Sequence, residues 1–172
     1  NPRGIRIRGS THSRHAPGVD RSIARINRPG HRALRQGRSV LAGQVYLLTF
    51  TTWRRVPHFA RFDLACSASR AFARAFDCSR SRVLAWVLMP DHAHILLQLD
   101  ETESPSLVVA RIKSNASREL ARHHPWRQRR WAPGFHDHAL RREQSVLHAA
   151  RYLVMNPVRA GLVAKVGDYP FW

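Results

Sequence analysis

Cysteine is nearly absent from this 172-residue chain: Cys66 and Cys78 are the only two, and they form no CxxC pattern. That excludes zinc ribbons and disulfide frameworks and makes a reducing cytosol the default compartment. No apolar run approaches the roughly 20 residues that cross a bilayer. The first 40 residues hold no apolar h-region, so neither a membrane span nor secretion is expected. Acidic residues are scarce as well, 11 against 29 basic, and only Lys113 and Lys165 among the basic ones are not Arg. A net charge of +18 calls for a polyanionic partner, either nucleic acid or a membrane surface. The planar donor fork of Arg suits phosphate, although a GC-rich coding region also raises Arg content without selection for binding. An apolar share of 44% over this length fits one soluble domain with a sizeable core.

The charge is unevenly spread. Residues 1–40 carry ten Arg and one Asp among scattered Pro and Gly, with no apolar period, and are expected to form a basic, disordered arm. The chain opens on Asn1 rather than Met, so whether this arm belongs to the natural protein stays open. The domain is expected over 41–172. "QVYLLTFTT" (44–52) has strand composition, and 59–77 has apolar residues at helical spacing, at Phe62, Ala65, Phe72 and Phe76. "RVLAWVLM" (82–89) and "HAHILLQL" (92–99) are strands joined by a Pro90-Asp91 turn. A helix over 104–124 has Ser104 as N-cap and Pro105 at its first position. A short strand over 135–141 follows, then a helix over 143–156 stopped by Pro157. This is the order of an α+β, ferredoxin-like antiparallel sheet with an extra helix, its helices on one face and the other face available for a site.

Side chains alternate along a strand, so His92, His94, Leu96 and Gln98 share one face and Ala93, Ile95, Leu97 and Leu99 the other. The second set is wholly apolar and should lie against the helices, which turns both imidazoles away from that layer. Their Cα atoms are about 6.5 Å apart by strand rise, close enough for both rings to hold one ion. The plainer alternative is a pair of partly exposed histidines at a strand edge. Zinc is weakly supported, because no third His, Cys or paired carboxylate stands at ligand spacing. On the helix over 143–156, Val146, Leu147, Ala150, Leu153 and Val154 form an apolar stripe, with His148, Tyr152 and Asn156 nearly opposite. Tyr152 and Asn156, one turn apart, can serve a shared polar site, or Tyr152 can simply pack on a neighbouring element. Trp126 and Trp131 lie among Arg127, Arg129 and Arg130, a mix suited to stacking unpaired bases beside a charged track, unless one Trp belongs to the core. Arg54, Arg55, Lys113 and Arg118 are further phosphate candidates.

"WVLMPDHAHILL", "GFHDHALR" and "ARYLVMNPVRAGLVAKVGDYPFW", in that order, resemble the REP-associated tyrosine transposases, relatives of the small single-tyrosine insertion-sequence transposases. The resemblance runs from about Val45 to Trp172 and leaves the arm without a counterpart. It implies an HUH endonuclease that nicks single-stranded or hairpin, REP-like DNA and rejoins strands through a 5′-phosphotyrosine. It carries the metal-binding histidine pair onto His92 and His94, the nucleophile onto Tyr152 and a third metal-facing residue onto Asn156. The chain departs from the family at Ala93, where a bulky apolar residue is usual, and from more distant relatives at Asn156, where they carry Gln. The ion implied is Mg²⁺ or Mn²⁺: imidazole favours Mn²⁺ and cellular abundance favours Mg²⁺. A monomer or homodimer in the cytoplasm, with no membrane partner, completes the expectation. Two other readings compete: a catalytically inactive basic nucleic-acid-binding module of the same fold, and a metal-dependent hydrolase of a small substrate that uses water in place of Tyr152.

Overall fold

The structure, a computed structural model, describes residues 43–123, 129–141 and 145–172. The expected arm over 1–40 lies outside them, as do Trp126 and Arg127. Four strands, β1 (Val45–Thr51), β2 (Arg82–Met89), β3 (His92–Gln98) and β4 (His136–Ala139), alternate with α1 (Phe62–Asp77) and α2 (Pro105–His123). Two helices follow β4, α3 (Val146–Val154) and the single turn α4 (Asn156–Arg159). The sheet runs β2-β3-β1-β4 with every neighbouring pair antiparallel. β3 therefore sits between β1 and β2, and β1 between β3 and β4, which is the split βαβ arrangement of a ferredoxin-like α+β fold.

Phe50, opposite Ala93 in the β1–β3 register, meets Phe72 of α1 with ring centroids 5.9 Å apart. Phe72 also touches Trp86 of β2 at 5.8 Å. The Ala93–Ile95–Leu97 face is thus the one that α1 and α2 cover, as alternation along β3 predicts, and its side chains are fully buried. The histidine face is not left open as expected. α3 packs on β2 and β3, with Ala149 and Leu153 buried, while Val87, Met89, Leu47 and Leu96, which share the histidine face, are buried too. The inward face of α3 also differs from the expected stripe, because Val146 and Leu147 are 39% and 58% exposed. Small Ala149 lets the helix approach the sheet closely. With Ala149 and Leu153 facing the sheet, half-buried Tyr152, about 100° from Leu153, stands at the edge of the packed face rather than opposite it.

Pro157 does not simply stop the helix. α3 ends at Val154, and Pro157 lies in the first turn of α4, where a missing N–H breaks no helical bond. The tail returns to the outer strand: Tyr169 Oη donates to Leu88 O at 2.6 Å, and Leu88 N donates to Phe171 O at 3.1 Å. Those bonds occupy part of the free edge of β2, which would otherwise offer unpaired backbone to another chain.

Candidate functional site

The Pro90-Asp91 turn sets the position of the first histidine, and buried Thr52 pins that turn. Thr52 N donates to Asp91 O at 2.9 Å, and the Thr52 hydroxyl lies 3.0 Å from Asp91 O and 2.8 Å from Val56 O. Phe59 N holds Pro90 O at 2.9 Å. His92 and His94 then project together from β3, with ring centroids 4.7 Å apart and planes near perpendicular. Each ring is fixed through Nδ1. His92 Nδ1 is 2.6 Å from Asp91 Oδ1, and Asp91 Oδ2 accepts from Arg55 Nε at 2.8 Å. His94 Nδ1 is 2.8 Å from Thr49 Oγ1, its cross-strand partner in the β1–β3 register. A neutral imidazole that donates from Nδ1 presents its lone pair at Nε2, the usual arrangement of a metal-binding histidine with its outer partner.

Both rings are held neutral. Burial pushes His94 down to about 3, and the charges of His92, Arg159 and Arg55 act in the same direction. Burial also lowers His92; the hydrogen bond and charge of Asp91 oppose this without reversing it, and Arg55 adds to the lowering. Neutral imidazole is the form that ligates a cation, so the pair fits a divalent ion. Among the described residues, no group of three or more His, Cys, Asp or Glu converges on one point. The protein therefore offers an open pair of nitrogens rather than a closed structural cage.

Arg159 joins Tyr152 to this pair. Its guanidinium lies over the Tyr152 ring, 3.7 Å from the centroid, and its charge is felt at His94. Arg159 also donates to Tyr152 O at 3.3 Å and to Asn156 Oδ1 at 2.6 Å, while Asn156 Nδ2 donates to Leu153 O at 3.0 Å. Both ends of the Asn156 amide are thereby engaged. In this arrangement the Asn156 oxygen, expected to face a metal, accepts from the Arg159 guanidinium. The other tyrosines of the domain are structural: Tyr46 is buried on β1, and burial raises the Tyr169 phenol to about 12.

The expected phosphate and base contacts divide. Trp131 belongs to the core: it is 6% exposed and its ring meets Phe50, Phe59 and Phe72 at 5.1, 5.4 and 6.2 Å. A base has no room to stack there. Lys113 Nζ donates to Ala132 O at 2.9 Å and to Gly134 O at 2.6 Å, so it clamps a loop rather than awaiting phosphate. Partly buried Arg130 donates to Ser117 O at 2.8 Å. Arg118 is exposed and bonds to Asn115. Arg55 is committed to Asp91, whereas Arg54 and Arg129 are exposed and both lie against Trp53. Asp91 and Thr49, which hold the two imidazoles, and Arg159, which covers Tyr152, are not singled out by the sequence. Asp91 and Arg159 stand inside the resembling motifs, but Thr49 becomes visible only through strand register.

Comparison with known proteins agrees with this architecture. An Escherichia coli REP-associated tyrosine transposase is 32% identical over 90 residues, 51% of this chain and 50% of that protein, so the chain spans about half the length of that relative. A Haemophilus influenzae protein assigned to the REP-associated tyrosine transposases is 24% identical over 144 residues, covering 78% of this chain and 81% of that one. A solved REP-associated tyrosine transposase bound to a REP hairpin superposes with a TM-score of 0.64 at 24% identity, over 78% of each chain, and shows the same fold. No helix among the described residues is long and apolar enough to cross a membrane. The family model described as "Transposase IS200 like" matches residues 43–154, a span that contains the histidine pair and Tyr152, and the chain belongs to that family.

Proposed function

We propose that this protein is a metal-dependent single-strand DNA endonuclease and strand transferase that acts on hairpin, REP-like DNA through a covalent tyrosine intermediate. The observation that carries the reading is the pair of neutral imidazoles, each fixed at Nδ1, in the same site as a tyrosine clamped under Arg159. His92 and His94 would hold Mg²⁺ or Mn²⁺. Such an ion, when bound, polarises a phosphodiester and offsets charge that develops on its oxygens. The histidines need no proton to leave before they ligate, since burial already keeps them neutral.

Tyr152 is the nucleophile in this reading. Its phenol oxygen attacks the scissile phosphorus, the P–O3′ bond breaks, and a 5′-phosphotyrosine and a free 3′-hydroxyl result. The phenolic proton passes to water, and the departing 3′ oxygen takes one up. A 3′-hydroxyl from another end can reverse the step, and exchange of one phosphoester for another needs no external energy source. Arg159 fixes the Tyr152 ring and brings a cation to the reacting phosphate, and Asn156 holds Arg159 in place. The hairpin substrate rests on the relative that was solved with a REP hairpin, together with the +18 charge of this chain.

The test is capture of the adduct. Incubation with single-stranded hairpin DNA and Mn²⁺ should leave a protein–DNA conjugate, and peptide mass spectrometry should place the nucleotide on Tyr152. Nicking without any conjugate would favour water as nucleophile. Binding without nicking would favour the inactive module.

A further inference from the structure

Beyond the histidine site, the segment that leaves β1 carries a second feature. Arg54 and Arg55 are consecutive non-glycine residues in the left-handed region, with φ of 54° and 58°. Such a conformation is strained for a residue with a Cβ and persists only where its surroundings enforce it. The double turn has two consequences. It sends Arg55 back onto Asp91, the carboxylate that orients His92. It also leaves Trp53 partly exposed, outside the aromatic cluster that encloses Trp131.

Two guanidinium groups lie over that indole, Arg54 Cζ at 5.9 Å and Arg129 Cζ at 5.4 Å from the ring centroid. Both arginines are exposed, and neither makes an ion pair or hydrogen bond among the described residues. The cluster is tied to the site by backbone. Trp53 N donates to Arg130 O at 2.8 Å, and the adjacent Thr52 holds Asp91 O. An indole covered by two exposed, unpaired guanidinium groups matches one chemistry well: a nucleobase takes the place of a guanidinium on the ring, and the displaced arginine meets a flanking phosphate.

We propose that Trp53, with Arg54 and Arg129, is the platform on which an unpaired base of the DNA strand stacks next to the histidine site. The inference deepens the proposed function, since it rests on single-stranded DNA as the substrate. The sequence pointed to Trp126 and Trp131 for stacking; Trp126 lies outside the described residues, Trp131 is in the core, and the platform assigns the role to Trp53. Because every base has a π-face, the platform tolerates any base and holds the strand in place rather than reading its sequence.

The test separates base from backbone. The full chain, with EDTA present and salt raised to suppress charge-only binding, is titrated against fluorescein-labelled oligothymidylate of about 12 nucleotides, within the usual range of single-strand sites. A matched oligonucleotide carries abasic sites in its central half, with the same phosphates and no bases there. Wild type should prefer the thymidine strand by about 5- to 150-fold, the range expected for one stacked base. Trp53→Ala should bring the two affinities within about threefold of each other. Trp53→Phe should keep most of the preference, and Trp53→Leu, which fills the space without a π-face, should lose it even if the alanine variant does not fold. Arg54→Gln with Arg129→Gln should weaken both strands equally. Wild type with no preference for bases, or Trp53→Leu with the wild-type preference, overturns the platform. Because no cleavage is involved, absence of a Tyr152 adduct would overturn the nuclease reading alone.

Discussion

Replacing Asp91 tests whether the histidine pair is a built metal site or two rings that happen to be neighbours. Asp91 accepts from His92 Nδ1 at 2.6 Å and from Arg55 Nε at 2.8 Å, and its own carbonyl is held by Thr52 regardless of side chain. Asp91→Ala therefore frees the His92 ring without dismantling the turn. Re-ordering one such side chain on ligand binding costs about 1 kcal/mol. Loss of the polarising carboxylate removes a similar amount of ligand strength, so Mn²⁺ affinity should fall by about 10- to 100-fold, the usual effect of deleting an outer-shell partner. Asp91→Asn keeps an oxygen for the ring but loses the charge, and should fall by less than about tenfold. Calorimetry with Mn²⁺ reads both. The loss should be no larger at pH 6.5 than at pH 8, because removing Asp91 removes an influence that raises the His92 pKa. Unchanged affinity in Asp91→Ala would refute the role of the carboxylate. A loss confined to the lower pH would mean that proton competition, not ring orientation, is at stake.

Tyr152→Phe should abolish adduct formation and cleavage while leaving DNA affinity within about twofold, since only the nucleophilic oxygen is lost; an adduct on Tyr46 or Tyr169 would contradict the assignment. His92→Ala and His94→Ala should each eliminate Mn²⁺ binding by calorimetry, with some loss of thermal stability, because both rings stand on the face that α3 covers. Deleting residues 1–40, which carry +9 from ten Arg and one Asp, should leave a folded domain that nicks at low salt. Its binding should have a smaller salt exponent, by roughly 0.7 for each phosphate that the arm no longer neutralises on single strands; an identical slope would mean the arm is idle. Buried Glu103 gives a pH signature: burial alone would raise its carboxyl, but hydrogen bonds from Ser79 and Ser81 and the Arg111 guanidinium outweigh that and hold it at about 2. Its folded pKa lies below the ordinary value of 4.5, so up to about 3 kcal/mol of stability should be present above pH 4.5 and lost as pH falls toward 2. Denaturant melts of wild type and Glu103→Gln should converge at low pH, and a constant gap between them would refute the linkage.

The parts that could be read in the sequence are those where a local period carries the information. His92 to Ile95 alternate polar and apolar, so the histidine face follows from counting by twos, and the Pro-Asp pair marks the hairpin turn. β2 could be bounded at Arg82 and Met89 because apolar residues end abruptly on either side. The α3 face failed for a definite reason: Val146 and Leu147 outweigh Ala149 on any apolar count. Helix-to-sheet distance favours the small residue, and the helix turned accordingly. Trp131 and Lys113 failed for another. Residues 129–132 run alongside the end of β1, with Thr52 bridged to Trp131 and Ala132 N bonded to Thr51 O. That pairing over some 80 residues of chain draws Trp131 into the core and sets two carbonyls within reach of Lys113. Nothing in a basic, tryptophan-containing segment announces such a partner.

The site followed the same division, and this bears on how it works. His92, His94 and Tyr152 each stand in a local motif, but what makes them a site is contributed from elsewhere in the chain. Thr49 fixes one ring from the neighbouring strand, Arg55 reaches the other through Asp91 from a left-handed turn, and Arg159 covers Tyr152 from the helix beyond Pro157. In the proposed reaction, chemistry is confined to three side chains, while their orientation is distributed over β1, the turn after it and α4. Any ligand that displaces the 53–55 turn must therefore also disturb Arg55 and, through Asp91, the His92 ring. A base held on Trp53 would steady that same turn. If Trp53 is the platform and the histidines hold the ion, strand binding and ring alignment are mechanically one event, so a variant that loosens the turn should weaken single-strand binding and Mn²⁺ binding together, whereas Tyr152→Phe should change neither.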